Sequence, residues 1–455
     1  EVSWRGVVHA LENVSLRVTA TTQRGSLPRV LTTIFVVLLA GSGVALLVSG
    51  DLGDVRIDRL TDSPAQILAA VIGAACAFEL ASRGASVTLL EKDELAAGAS
   101  GRNLGYLDTS KDPVLAPLAR RSLERYADLA SDPPTPFFLD AEPIGTLAVT
   151  IDEEERDDLR AWAASADAVG VEVERIDERV REIEPELSPE VLEGYLLHEG
   201  HRVDPLALTV CLGALARASG ATIRHHSPAR RLVERGERVT GVVTDDGVLE
   251  ADAVVLAAGP WSPALARPIG VALPIVSARG WLVHAAPGRR LFRHWIQSGA
   301  RRLIAGRQTA LASEPGALRL SMREFGTAEE TRDIAPMIQP SPDGSVLTGT
   351  SREPSFAADP LDLEVPRIVA AQASRLVPAL AEAPVLSTWS GVRPVSPDER
   401  PLLGWVREGL FVATGHGSEG VILGAGSAEQ VAALVLGAEP PFEPAPFDPL
   451  RSGTG

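Results

Sequence analysis

The stretch VIGAACAFELASRGASVTLLE, residues 71–91, decides the fold class. Small apolar residues over its first half suit a buried helix, and a glycine turn then leads into a β-rich run that ends on the acidic Glu91. A helix followed by a strand closed by a carboxylate is the second half of a dinucleotide-binding βαβ unit. Gly73 takes the place of the third glycine of G-x-G-x-x-G, where a missing side chain lets the helix pack closely on its strand. Glu91 follows 18 residues later, where a carboxylate can accept both ribose hydroxyls, and Lys92 adjoins it as a second cofactor-side candidate. The first two glycine positions hold Leu68 and Ala70 instead, and Pro64 falls where an apolar strand is needed. Taken alone, the motif reads equally well as an ordinary buried helix and strand.

The rest of the chain must therefore decide. At 455 residues it is too long for one core, and two or three domains are expected. A formal charge of −17 argues against nucleic acid as a partner and fits an enzyme of small molecules. Cys76 and Cys211 both sit in apolar helical patterns with no metal spacing, so no metal site and a reducing, cytoplasmic compartment are expected. Val30 to Gly50 is a run of 21 residues without a charge, flanked by Arg24 and Arg29 on one side and Asp51 and Asp54 on the other. Three readings of it stay open: a membrane helix, a buried strand or core helix turning at Gly41-Ser42-Gly43, and a disordered or misjoined segment.

Residues 1–60 form an atypical N-terminal extension. Its VVHALENVSLRV faintly resembles the opening of an ABC-transporter ATPase, but no G-x-x-x-x-G-K-S/T loop follows. From residue 71 helices and strands alternate. Helices are expected over Pro113–Leu129, Glu153–Gly170 and Asp204–Ser219, the last with Asp204 as its cap and Gly220 at its end. Strands are expected at Gly145–Thr150, Ala221–His226, Ala253–Ala258 and Leu410–Ala413, with β-rich segments over Arg231–Leu249 and a hairpin turn at Asp246-Gly247. An apolar helix running to Leu436 follows the glycines at 415, 417 and 420, and its first N–H groups can face negative charge.

Several separated segments carry glycine at or just past a strand end, where backbone can approach a flat or charged ligand. GASGRNLGYL (98–107), VDP (203–205), LAAGPWS (256–262), WSGVRPVSPDERPLLG (389–404) and GHGSEGVILG (415–424) together resemble the D-amino acid oxidase, glycine oxidase and sarcosine oxidase family of FAD enzymes, over roughly residues 71–450. The resemblance implies an α/β fold: a Rossmann-like FAD domain built from 61–118, 197–268 and 389–455, interleaved with an α+β substrate domain of 119–196 and 269–388 that carries a mixed sheet. It implies oxidation of an amino acid or secondary amine at a C–N bond, by hydride transfer to flavin, giving an imine that hydrolyses. Arg393 of the G-x-R-P element then holds the substrate carboxylate, which a guanidinium fork does bidentately, against the bland reading of an ion pair with Asp398 or Glu399. His416 is placed beside the flavin. Ser100, Arg102, Asn103, Gly259, Trp261, Gly415, Gly417, Gly420 and Val421 join Gly73, Glu91 and Lys92 as FAD-binding candidates, and Tyr106 and Trp281 become candidates for lining the substrate pocket or for simple packing.

Absences narrow the expectation. No cysteine follows Cys211 and no histidine lies in the 98–107 loop, so FAD is expected to be non-covalent. Lys92 and Lys111 are the only lysines and both lie early in the chain, which leaves no oxygen-activating lysine and tilts the acceptor from oxygen towards an electron carrier. Two alternatives differ in class: a flavoprotein-like chain disabled by its broken glycine loop, and a membrane-anchored amino-acid dehydrogenase held by residues 30–50.

Overall fold

The computed structural model describes residues 71–299, 333–354 and 361–451. Leu68, Ala70, the extension 1–60 and the apolar run 30–50 lie outside the described residues. Among the described residues no helix is long and apolar enough to cross a membrane.

The helix Val71–Ser82 buries nearly all of its residues, as its run of small apolar side chains requires. It packs against two other helices, Pro205–Ala218 and Gly424–Leu436. A turn then leads into the strand Thr88–Leu90, which pairs in parallel with Thr222–Arg224. Asp204 caps the helix Pro205–Ala218 by accepting from the Ala207 N–H, and proline takes its first turn, where no N–H is needed. Gly220, at φ +98°, lets the chain leave that helix for the paired strand.

A second strand group runs Val254–Leu256 parallel to Leu410–Thr414, with Leu402–Arg407 antiparallel beside it. No strand among the described residues joins these two groups. Arg231–Arg235, Arg238–Thr244 and Gly247–Glu250 form a three-stranded antiparallel sheet; the turn expected at Asp246-Gly247 falls at Asp245-Asp246, because Gly247 already pairs with Thr244.

The largest sheet has eight strands in the order Val385–Val395, Val276–Ala285, Val346–Pro354, Asp333–Pro340, Trp295–Ser298, Thr146–Thr150, Glu193–Leu197 and Val173–Arg175. Only the step from Trp295–Ser298 to Thr146–Thr150 is parallel, so the sheet is mixed. Both faces of its middle are covered. Leu147 and Val149 meet Ala373 and Leu376 of the helix Glu364–Leu376, while Ala148 meets Leu159 and Ala163 of the helix Arg156–Ala168. That explains why every residue of Thr146–Thr150 is buried. The α/β fold class with a large mixed sheet is the one expected.

Element ends shift where local hydrogen bonding wins. The helix expected from Pro113 begins at Ala116, because Asp112 Oδ1 accepts from the Val114 N–H and closes a turn first. The one expected from Glu153 begins at Arg156, after a tight turn in which Asp152 accepts from Glu154 N–H. The C-terminal helix begins at Gly424 rather than directly after Gly420, since Glu419 N–H bonds His416 O and Leu423 N–H bonds Glu419 O in a preceding pair of turns.

That helix sits hard against Ala116–Ser131. A Cβ at Gly426 would lie 2.6 Å from the Leu118 carbonyl oxygen, which is backbone and cannot swing aside. Gly426→Ala should therefore cost about 1–3 kcal/mol of stability by overpacking. Unchanged urea midpoint and slope in the variant would reject this account of the packing.

Candidate functional site

The loop Gly98–Leu107, the turn Ala257–Trp261, one face of the mixed sheet and the turn His416–Ile422 surround a cleft of about 1250 Å³, counted to its open mouth. Each wall is fixed locally. Ser100 Oγ accepts from the Val71 N–H at 2.9 Å, tying the loop to the first turn of the buried helix. Asn103 braces the same loop from within: its Nδ2 donates to the carbonyls of Ala99 and Ser100, and its Oδ1 accepts from Gly105 N–H. Gly105, at φ +67°, lies so close to the Val203 carbonyl that no side chain would fit.

Of the residues expected at a cofactor or substrate, Ser100, Arg102, Asn103, Gly259, Trp261, Arg393, His416, Gly417, Gly420 and Val421 all line this cleft. Gly73, Glu91, Lys92 and Gly415 are not among the residues that line it. Glu91 is fully buried at the end of its strand, with Oε1 accepting from Asp93 N–H and its carbonyl accepting from Ser227 N–H. Lys92 pairs with Asp93 and holds its ammonium 5.6 Å from the centre of the Trp261 ring, so the strand end and the cleft wall are in contact.

Tyr106 and Trp281 part company. Tyr106 lines the cleft, its hydroxyl 2.9 Å from Thr146 Oγ1 and its ring edge-on to Trp295 at 4.8 Å. Trp281 lies among Val283, Val365 and Val369, a packing position beneath the helix Glu364–Leu376. Side chains alternate across a strand, which is why its neighbours Gly280 and Leu282 face the cleft instead. Gly280, Leu282, Met337 and Thr350 are cleft residues that the sequence reading did not single out.

Arg393 rises from the strand Val385–Val395 onto this sheet face, with Nη1 donating to Ser351 O at 3.0 Å. The two carboxylates that offered a bland explanation of it are engaged elsewhere. Asp398 pairs with Arg451 at 2.7 Å and Glu399 with Arg352 at 3.0 Å. Arg352 also donates to Ser418 Oγ, in a second cavity of about 1240 Å³ that shares Tyr106, His416, Gly417, Ser418 and Ile422 with the cleft. Lys111 lines that second cavity and Lys92 is buried behind Trp261, so neither lysine lines the cleft itself.

His416 forms part of the partition. Its backbone bridges to Val395, its Nε2 lies 3.1 Å from Ser427 Oγ, and burial pushes its pKa down to about 3. The imidazole is therefore neutral near pH 7.

The cleft has the shape a flat cofactor needs. A Cβ at Gly417 would project into open space with nothing within 4 Å, and one at Gly259 would meet only Pro394 at 3.9 Å. Side-chain-free backbone thus borders the cavity on two sides, as close approach of a planar ring demands. The residues that line it here, Gly420 to Ile422, belong to the turn before the C-terminal helix and not to the helix itself.

A family model described as FAD dependent oxidoreductase matches residues 69–434. The chain is similar to the glycine oxidase of Pseudomonas putida, at 27% identity over 83% of this chain and 96% of that protein. It is similar also to a D-amino acid dehydrogenase of Methylobacterium radiotolerans, at 31% identity over 71% of this chain and 70% of that one. Among solved structures, glycine oxidase from Geobacillus kaustophilus superposes with a TM-score of 0.71 at 25% identity, covering 84% of this chain and 97% of the other.

The buried neutral histidine makes stability depend on pH with a definite sign. As pH falls below about 6.5, the unfolded imidazole takes a proton that the folded one refuses until about pH 3, so folding loses up to about 1.4 kcal/mol per pH unit over that window. His416→Gln removes this titration, and its stability should fall less steeply than the wild type's between about pH 6.5 and pH 4. Parallel curves from urea denaturation across that range would show that His416 is not held neutral.

Proposed function

The chain belongs to the DAO family of FAD-dependent oxidoreductases, and from that premise we propose that it oxidises the C–N bond of an amino acid or N-substituted amino acid whose carboxylate is held by Arg393. Its relatives oxidise or dehydrogenate amino acids and amines, and action on that broad class, with FAD, is common ground. The observation that carries the finer reading is the Arg393 guanidinium on the cleft wall, with Asp398 and Glu399 committed to other arginines.

On this reading residues 61–118, 197–268 and 389–455 hold the cofactor, and 119–196 with 269–388 form the substrate domain. Glu91 would take the ribose, Lys92 and Trp261 the neighbouring adenosine end, and Ser100, Arg102, Asn103, Gly259 and the turn Gly415–Val421 the flavin. FAD is held without a covalent link. When bound, it supplies a two-electron acceptor. The protein's own task is to orient substrate and exclude water. Arg393 fixes the carboxylate through a charge-assisted fork, which sets the direction of the carbon bearing the amine. Leu282, Met337 and Ile422 give the cleft apolar walls. That carbon loses hydride and the nitrogen loses a proton, leaving an imine that water hydrolyses to a carbonyl product and ammonia or an amine. His416, being neutral, contributes no charge to this step.

Two measurements test the reading. Glycine, sarcosine, proline and a set of D-amino acids, mixed anaerobically with the holoenzyme, should include at least one that bleaches the flavin absorbance; a colourless protein that takes up no added FAD would favour the disabled chain instead. The acceptor is followed separately, by peroxide release in air against reduction of an artificial carrier. Arg393→Ala should retain flavin yet weaken carboxylate substrates by about 2–4 kcal/mol, the loss of a charged two-point contact. Unchanged kinetics on every substrate of the wild type would reject the role of Arg393.

A further inference from the structure

The strand Val276–Ala285 carries a glycine where it faces the cleft, and that glycine is occupied from above. In the register with Val385–Val395, Gly280 stands opposite Gly391 and Ala278 opposite Arg393. Gly280 and Arg393 are thus diagonal neighbours on one face, within reach of a long side chain. The Arg393 guanidinium lies back over Gly280: a Cβ built there would be 2.6 Å from Cζ and closer still to Nη1 and Nη2. These are the three heavy atoms nearest that position, and all belong to one guanidinium. Beyond it, Nη1 donates to the Ser351 carbonyl on the next strand. The arginine is rooted on one strand, lies across the second and docks on the third.

Gly280 is not needed for its backbone, because its φ lies outside the left-handed range where glycine is favoured. It is needed for space. Gly391 extends the bare patch, since a Cβ there would come within 3.4 Å of Ala99 and Arg102 in the loop that forms the opposite wall. Facing glycines on the edge strand and its neighbour weaken their pairing, and glycine inside a strand marks a place where something must approach closely.

We propose that Gly280 is a positioning residue that sets the depth at which the Arg393 guanidinium sits, and so fixes the distance at which a carboxylate-bearing substrate is presented for oxidation. This rests on the reading of Arg393 as the carboxylate holder. A side chain at 280 would lift the guanidinium into the cleft, and a displacement of about 1 Å in a positioning group costs on the order of 100-fold in rate.

The test uses holoenzyme of Gly280→Ala, Arg393→Ala and the double variant. Binding of acetate, a carboxylate that cannot be oxidised, is followed by the flavin absorbance. kcat/KM is measured on an amino-acid substrate and on the corresponding amine without its carboxylate. Gly280→Ala should weaken acetate and lower kcat/KM on the amino acid about 100-fold, leave the simple amine unaffected, and add nothing in the Arg393→Ala background. Equal loss on the simple amine, or losses that add in the double variant, would overturn the proposal. Should Gly280→Ala not fold, the double variant should fold as Arg393→Ala does, because the three atoms nearest a Cβ at 280 all belong to the guanidinium that Arg393→Ala removes; a double variant that also fails to fold overturns it too. Arg393→Ala with unchanged acetate affinity would remove the carboxylate reading beneath the proposal, an outcome visible without any change at Gly280.

Discussion

The contact of the C-terminal helix with the helix Ala116–Ser131 is what the rest of the site depends on. Gly424 and Gly426 let two helices meet where Tyr126 Oη and the Leu118 carbonyl leave no room for a Cβ. Polar groups then fix the register: Gly426 N–H bonds Ser122 Oγ, and the Tyr126 hydroxyl donates to the Val421 carbonyl. That last bond reaches the cleft wall itself. Arg125 spans Glu79 of the first helix and Glu429 of the last, both nearly buried, and Arg121 adds a two-point contact with Glu429. Buried carboxylates left without partners cost several kcal/mol, so this network penalises any arrangement that separates the three helices. The turn Gly415–Leu423 is held at one end by the helix it leads into and at the other by Gly417 N–H on the Pro394 carbonyl. Arg393 precedes that proline, so the turn and the arginine are set relative to each other by backbone alone.

Much of the local structure was written in the sequence because local chemistry decides it. Asp204 followed by proline and closed by Gly220 marks a helix whose ends are a side-chain bond and a left-handed glycine, and both ends fall where expected. Val254–Leu256 is a short apolar strand and reads as one. The mixed sheet was much less legible. Along Val276–Ala285 the buried Arg279 alternates with the bare Gly280, so the apolar and polar rhythm that identifies a strand is lost. Residue types at one cleft position are set by strands remote in sequence.

The site shows the same division. Glycines at 259, 415 and 417 announce positive φ and close approach, and Arg393 stands out by its motif. Gly280 does not, because its role exists only once the register places Arg393 diagonally across from it. Trp281, a candidate for the pocket or for packing, takes the packing position because a strand gives successive residues to opposite faces. The start of the C-terminal helix was read too early, since turns rich in glycine and helix entry share a composition and only the hydrogen bonds from Glu419 and Leu423 separate them.

The charges around the cleft bear on the state of the substrate nitrogen. An amine gives up hydride from its neighbouring carbon only after it has lost its extra proton, and a free amino acid keeps that proton partly through its own carboxylate. On the proposed reading Arg393 takes over the carboxylate, and the ammonium loses the neighbour that favoured its charged form. Arg102 lines the same cleft, and no aspartate or glutamate does so among the described residues. His416 is neutral there because burial makes it so. Asp108, Asp112, Asp398, Glu399 and Glu419 line the second cavity across the His416 partition. On the proposed reading, a guanidinium on the cleft wall, with these carboxylates across the partition, favours the uncharged form of the substrate amine that gives up hydride.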